Sequence, residues 1–331
     1  MTNPMHPPPP SEEPLKTLWN GPVSKLVELA SPSIKPEEVE RHTIFSLLVM
    51  ALVYRYWNGN KRGPDGTYPW RKNQLKPGGG GYLGGDYLGH NIACIAVNAG
   101  GRVIDFDFNH NEILSSSVEH AESRLVRRVF SLTQIYDFAT VGLSTSLVPI
   151  SYGNVLNDVT IYTSLESCSQ CSGIMALGSV KEVVFLQRDP GQNSIGNILR
   201  NLSPAGARYQ PPLPIPADYL GLAAFSELDK AYATFRAGVA ATPFHVPATG
   251  SPDTSPSITS FLCTDDALDV FGRGDATFSA MKTVQYPGYV PSAASGAQMP
   301  GAMSNAEALQ HAHRFYDYAV HCGRRGTPHK L

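Results

Sequence analysis

His120-Ala121-Glu122, within SVEHAESRLVRRVF, and Cys168-Ser169-Gln170-Cys171, within TIYTSLESCSQCSGIMALG, place one histidine, two cysteines and a carboxylate in two short motifs. Imidazole and thiolate are zinc ligands. A structural zinc closes its tetrahedron with four protein groups, whereas a catalytic zinc takes three and leaves the fourth position to water. Here His120, Cys168 and Cys171 are the three ligands and Glu122 is a spare acid. Two thiolates leave the ion formally neutral, so its water is acidified less than at an all-histidine site and a neighbouring base matters more. Glu122 is the candidate for that base.

Both motifs need an element to hold them. Ser115-Ser116-Ser117-Val118 precedes a run with Leu125, Val126, Val129 and Phe130 apolar at helical spacing, which predicts a helix from about Ser116 to Ser131 with His120 and Glu122 in its first turn. Residues two apart diverge in mid-helix, so this pair needs the freedom of a helix start to converge. Cys168 and Cys171, three apart, share a face at the start of a second helix, Ser169 to about Leu177, which follows the β-branched run Val159 to Thr163. Two positive helix N-termini aimed at one point favour thiolate over thiol. Strands are expected at Ile92–Val97 and Val103–Phe108, joined by the turn Asn98-Ala99-Gly100-Gly101, and again at 158–163 and 182–187.

Residues 91–204 resemble the zinc-dependent cytidine/deoxycytidylate deaminase superfamily, most closely its tRNA adenosine (wobble) deaminase branch. The resemblance rests on GRVIDFDFNHNE, HAE, SLESCSQC and VVFLQRDPGQNSIGNILRNLSP. It implies a three-layer α-β-α fold of the α/β class with a central mixed five-stranded sheet, whose fifth strand runs parallel to the fourth in the nucleic-acid branch. It also implies a Zn2+ cofactor, Glu122 as proton shuttle, Asn109, eleven residues before His120, against the substrate sugar, and backbone N–H groups near Ala121 and Cys168 holding developing charge. The reaction implied is hydrolytic loss of the amino group from a nucleobase, adenosine to inosine in tRNA. A free base, nucleoside or nucleotide of cytosine or guanine type is the alternative, and a non-catalytic zinc module is disfavoured by Glu122. Homodimers are usual in that branch. Two features depart from the pattern: Ser167 stands where proline usually precedes the first cysteine and is a possible helix cap, and an insertion around 132–156 lengthens the span between the ligands.

The chain of 331 residues, 42% hydrophobic with a formal charge of -2, is expected to be globular, and any nucleic acid must be met by a local basic patch. Five cysteines, two of them in the metal motif, argue for a reducing compartment, with the cytoplasm the expected location. No apolar run is long enough to span a membrane, and MTNPMHPPPPSEEP lacks the features of a signal peptide. Residues 1–14 read as a disordered tail and 15–57 as N-terminal helices, the clearest beginning at Pro36-Glu37-Glu38 and running to about Trp57.

Residues 58–90 set Lys61, Arg62, Arg71, Lys72 and Lys76 among Trp70 and several tyrosines, with four consecutive glycines. This composition suits either an RNA-contacting loop or a mobile insertion. Arg124, Arg127 and Arg128 suit a phosphate backbone or a solvated helix flank. Residues 205–331 form a mainly helical C-terminal extension of unreadable role. Its stretches 205–217 and 242–257 have linker composition, and helices are expected at 217–240, 265–271 and 304–322. His311, His313 and His321 are expected at the surface or in a dimer contact.

Overall fold

The computed structural model describes residues 17, 21–28, 32–57, 89–111, 114–141, 156–203, 210–241, 257–283 and 303–322. The tail at 1–14, the basic aromatic residues between 58 and 88 and almost all of the 132–156 insertion beyond 141 lie outside this set. Among the described residues no helix is long and apolar enough to cross a membrane.

The elements run α1 (Val23–Leu26), α2 (Pro36–Arg55), β1 (Ala93–Val97), β2 (Val103–Phe108), α3 (Ala121–Val141), β3 (Thr160–Thr163), α4 (Ser169–Leu177), β4 (Glu182–Phe185), α5 (Ile195–Asn201), β5 (Leu213–Pro216), α6 (Ala223–Val239), α7 (Ile258–Phe261), α8 (Asp265–Ala280) and α9 (Asn305–Cys322). The five strands form one mixed sheet in the order β2-β1-β3-β4-β5. β1 pairs antiparallel with β2 and with β3, whereas β3, β4 and β5 are mutually parallel, with Thr163 opposite Phe185 and Phe185 opposite Pro216. The β1–β2 turn closes as its residues dictate. The Asn98 side chain accepts from the Arg102 N–H at 3.0 Å, and Gly101 takes a positive φ of 83°.

Helices cover both faces. On one, α2 lies against β1, β3 and β4. Pro36 opens it and the Glu38 side chain accepts from the Lys35 N–H at 3.0 Å, a proline and an acid in the positions a helix start favours. Residues Ile44 to Val53 are buried without a break, because α2 is itself roofed by α8 and α9. The roof sits close: a Cβ added at Gly274 of α8 would lie 2.8 Å from the Met50 Cβ, so only glycine admits this approach. Each large apolar side chain buried here contributes roughly 1.5–3 kcal/mol. α3 and α4 pack on the opposite face, where the chemistry lies.

The C-terminal helices are therefore continuous with the sheet's core: Phe315 of α9 meets Phe106 of β2 edge-on, and Phe271 of α8 lies against Trp57. β5 falls in Leu213-Pro214-Ile215-Pro216, inside the segment whose composition resembles a linker. Prolines are admissible there because β5 is an edge strand with one side free of ladder bonds. α8 runs on to Ala280, well past the 271 expected from sequence. Of the histidines of α9, His311 and His313 differ from expectation and His321 does not. His311 Nε2 accepts from the Val103 N–H at 2.9 Å, and His313 is buried, stacked on Phe278 with ring centroids 4.1 Å apart, while His321 is exposed.

Candidate metal and active site

The helix expected from Ser116 begins only at Ala121. Residues 114–119 instead form turns tied to the loop after β2, with the Ser116 N–H on the Asn111 carbonyl at 2.9 Å and the His110 N–H on the Glu119 carbonyl at 2.9 Å. His120 thus stands on non-helical backbone just before α3, and Glu122 is in the first turn. This is the freedom that two residues in i, i+2 relation require to reach one point. On the facing helix, Cys168 is the N-cap of α4 and Cys171 lies in its first turn, as the spacing predicts.

The two motifs converge. The imidazole nitrogen and both sulfurs lie within 4.8 Å of one another, and His120 presents Nδ1, 3.4 Å from Cys168 Sγ and 3.7 Å from Cys171 Sγ. Among the described residues this is the one group of three or more His, Cys, Asp or Glu side chains close enough to hold a metal ion. One nitrogen and two sulfurs are a donor set that suits zinc and leaves a fourth position open. The three atoms therefore fit the ion.

Glu122 is buried beside them. Its Oε1 accepts from Thr163 Oγ1 at 3.0 Å and from Ser167 Oγ at 3.3 Å, and its Oε2 lies 3.4 Å from Cys171 Sγ. Burial pushes its carboxyl above the ordinary range, with the Thr163 hydrogen bond among the influences pulling it back. The hydrogen bond from Cys171, and then that from His120, draw Cys168 toward thiolate, whereas the same bond and burial push Cys171 up. Metal binding requires both as thiolates. His120 is shifted upward, chiefly by its bond to Cys168.

Ser167 does not cap α4, and its N-cap Cys168 makes no side-chain cap bond; the Ser169 N–H is met instead by Gln192 Oε1 at 3.4 Å. In place of the expected proline, Ser167 adds a second hydroxyl on the Glu122 carboxylate. Thr163 and Ser167 are contacts that the sequence left unassigned. The available signal was position: Thr163 ends the strand that feeds the cysteine motif. Asn109 sits at the end of β2, and its Oδ1 accepts from the Ala121 N–H at 2.7 Å. That bond ties β2 to the start of α3 and engages the Ala121 N–H, one of the two expected to face developing charge. Gln170 bridges the motifs as well, donating to the Val118 carbonyl at 3.0 Å and the Ser123 hydroxyl at 2.9 Å.

The arginines of α3 reach neither solvent alone nor a free phosphate site. Arg128 Nε bonds Asp105 Oδ2 at 2.8 Å and its Nη1 bonds Asp107 Oδ2 at 2.6 Å. Arg124 Nε bonds Asp107 Oδ2 at 3.1 Å and its Nη1 bonds Glu119 Oε2 at 2.6 Å, while Arg127 Nη2 bonds Glu119 Oε1 at 2.7 Å. Burial raises Asp107 to about 6 despite both guanidiniums; at the more open Glu119 the bonds from Arg127 and Arg124 outweigh desolvation and the shift is downward.

With this geometry in place, residues 82–187 match the family model described as the cytidine and deoxycytidylate deaminase zinc-binding region. Residues 82–187 therefore carry the zinc-binding region of a deaminase. The class this supports is a hydrolytic deaminase with Zn2+ as the cofactor. No curated protein matches the chain at the level of sequence. Similar solved structures include that of a study of A-to-I editing by tRNA:A34 deaminases at the wobble position, at 20% identity over 38% of this chain and 82% of that one, with a TM-score of 0.25. Guanine deaminase from Bacillus subtilis is 21% identical over 38% of this chain and 70% of its own, with a TM-score of 0.23. Guanine deaminase from Nitrosomonas europaea is 18% identical over 68% of this chain and 94% of its own, with a TM-score of 0.29.

Proposed function

We propose that the enzyme removes the exocyclic amino group of a nucleobase by hydrolysis, and that its substrate is adenosine within tRNA, which it converts to inosine. The observation carrying the reaction class is the Glu122 carboxylate held by Thr163 and Ser167 beside the His120, Cys168 and Cys171 cluster. A structural metal site has no use for a buried fourth acid. The choice of a polymeric substrate is supported by the parallel pairing of β5 with β4, the arrangement of the nucleic-acid branch that the sequence resembles.

His120 Nδ1, Cys168 Sγ and Cys171 Sγ would hold the zinc, which when bound would supply Lewis-acid activation of water at neutral pH. Glu122 carries the protons. Its carboxylate accepts one from the attacking water and delivers it to the ring nitrogen next to the amino-bearing carbon. It then takes the proton of the newly bonded hydroxyl and passes it to the departing amine, which leaves as ammonia, so that water and amine exchange and a carbonyl remains. The raised affinity of buried Glu122 for protons suits a group that must hold one between transfers. Thr163 and Ser167 keep one carboxylate oxygen fixed while the other stays on the Cys171 side. Asn109, which already orders the start of α3, is the residue proposed to meet the sugar. The basic residues Lys61, Arg62, Arg71, Lys72 and Lys76, with Trp70, are proposed RNA contacts, and a homodimer acting in the cytoplasm is the proposed working form.

Bulk tRNA incubated with the wild type and with Glu122→Ala, digested to nucleosides and analysed by mass spectrometry, tests this. Inosine formed by the wild type alone is the expected result. Unchanged tRNA from zinc-loaded, folded protein would overturn the polymer assignment; ammonia release from free bases, nucleosides or nucleotides would then identify a small substrate.

A further inference from the structure

We propose that Arg124 is a positioning residue for the metal site, setting the place of His120 by joining β2 to the turn that carries this ligand. Its guanidinium is the one group in the ion-pair chain that touches both sides. Nε bonds Asp107, two residues before Asn109 on the same strand, and Nη1 bonds Glu119, the neighbour of His120. Backbone and side-chain bonds run parallel to it: the His110 N–H on the Glu119 carbonyl and the Ala121 N–H on Asn109 Oδ1. The Arg124 N–H itself closes on the His120 carbonyl at 3.0 Å, the first turn bond of α3. His120 stands on non-helical backbone at the entrance of α3, so only its carbonyl is held by the helix and the rest of its main chain takes its position from these bonds. Groups that orient a metal ligand without touching the metal typically govern affinity by 10- to 100-fold.

The ion pairs also separate positioning from stability. Without Arg124, Asp107 keeps Arg128 at 2.6 Å and Glu119 keeps Arg127 at 2.7 Å, so neither acid is left unpaired. Arg128 is the complement. It holds Asp105 and Asp107 and the Phe106 carbonyl, but makes no bond to Glu119. Losing Arg128 should therefore lower stability and spare the ligand turn.

The inference rests on the metal reading of His120, Cys168 and Cys171, and its test distinguishes the two. Zinc affinity is measured by chelator competition for the wild type, Arg124→Gln, Arg124→Lys and Arg128→Gln, together with the absorption spectrum of each cobalt-substituted protein and its Tm. Arg124→Gln is expected to bind zinc at least 10-fold more weakly and to shift the cobalt bands, with a Tm near that of the wild type. Arg124→Lys, which keeps the charge and loses the fork, should recover the affinity in part at most. Arg128→Gln is expected to lose Tm while keeping affinity and spectrum. If Arg124→Gln does not fold, Glu119→Gln cuts the same link from the other end and should give the same loss. Wild-type affinity and spectrum in a folded Arg124 or Glu119 variant would overturn the proposal. A wild type that binds no zinc would instead overturn the metal reading beneath it.

Discussion

Replacing Glu122 with glutamine changes two atoms' chemistry and almost none of the shape. The amide oxygen of the new side chain would still accept from Thr163, 3.0 Å from the present Oε1, and from Ser167 at 3.3 Å, while its NH2 would face Cys171 Sγ, 3.4 Å from the present Oε2, where a thiolate accepts it. No buried polar group loses its partner, so the usual penalty for disturbing a buried acid is absent. What disappears is the capacity to accept and return a proton. A positioned general acid–base contributes up to about 10⁴-fold. Because this one group serves both transfers, the expected loss in kcat is about 10³- to 10⁴-fold, or roughly 4–5 kcal/mol of barrier at ~1.4 kcal/mol per decade. The assay is single-turnover inosine formation, run beside zinc quantification and thermal unfolding. A Glu122→Gln variant that keeps its zinc and its Tm but loses less than tenfold in rate would refute the assignment of Glu122 as the proton carrier.

Cys168→Ala removes one of three ligands, and elemental analysis of the purified protein is expected to find zinc well below one equivalent, with activity lost in proportion. His313 supplies a pH prediction. Burial holds its pKa down at about 4, below the 6.5 of the unfolded chain, so its neutral form favours the fold above pH 6.5 and that contribution is lost as pH falls through 4. The loss is on the order of 2–3 kcal/mol, and His313→Phe, which keeps the stack on Phe278, should flatten the fall in Tm between pH 6.5 and 4; an unchanged acid profile would refute it. Gly274→Ala drives a methyl to within 2.8 Å of the Met50 Cβ and is expected to cost about 1–3 kcal/mol, read as a lower Tm with zinc content unchanged.

Local signals in the sequence were sufficient for the elements that carry the ligands. The alternation Val103 to Phe108 matches β2, the proline and acids at 36–38 open α2, and the cysteine motif opens a helix at Ser169 that ends at Leu177. What they could not supply was pairing across the chain. Asp105 and Asp107 alternate with aromatics as solvent-facing residues of a half-buried strand would. Both are fully buried because Arg124 and Arg128, spaced four apart on α3, reach down to them. That spacing on both elements was the legible half of the signal; their juxtaposition was not. β5 was hidden by its prolines, which only an edge position tolerates. The start of α3 was displaced because Asn109 and Asn111, from another strand and the loop after it, tie down the preceding turns. Residues 58–88 carry the proposed RNA contacts and fall outside the described part of the molecule.

The roof over α2 bears on how the deaminase domain can be handled. A helix buried on every side has no water-facing surface to present when its cover is removed, and Ile44 to Val53 form ten consecutive positions of this kind. A chain ending at Pro204 would retain both zinc motifs and all the catalytic candidates. It would also lose β5, baring the backbone of β4 as a new sheet edge, and it would open α2 to solvent along the face that α8 and α9 cover. The catalytic motifs fit within a third of the sequence, yet they inhabit a core that α8 and α9 help to close.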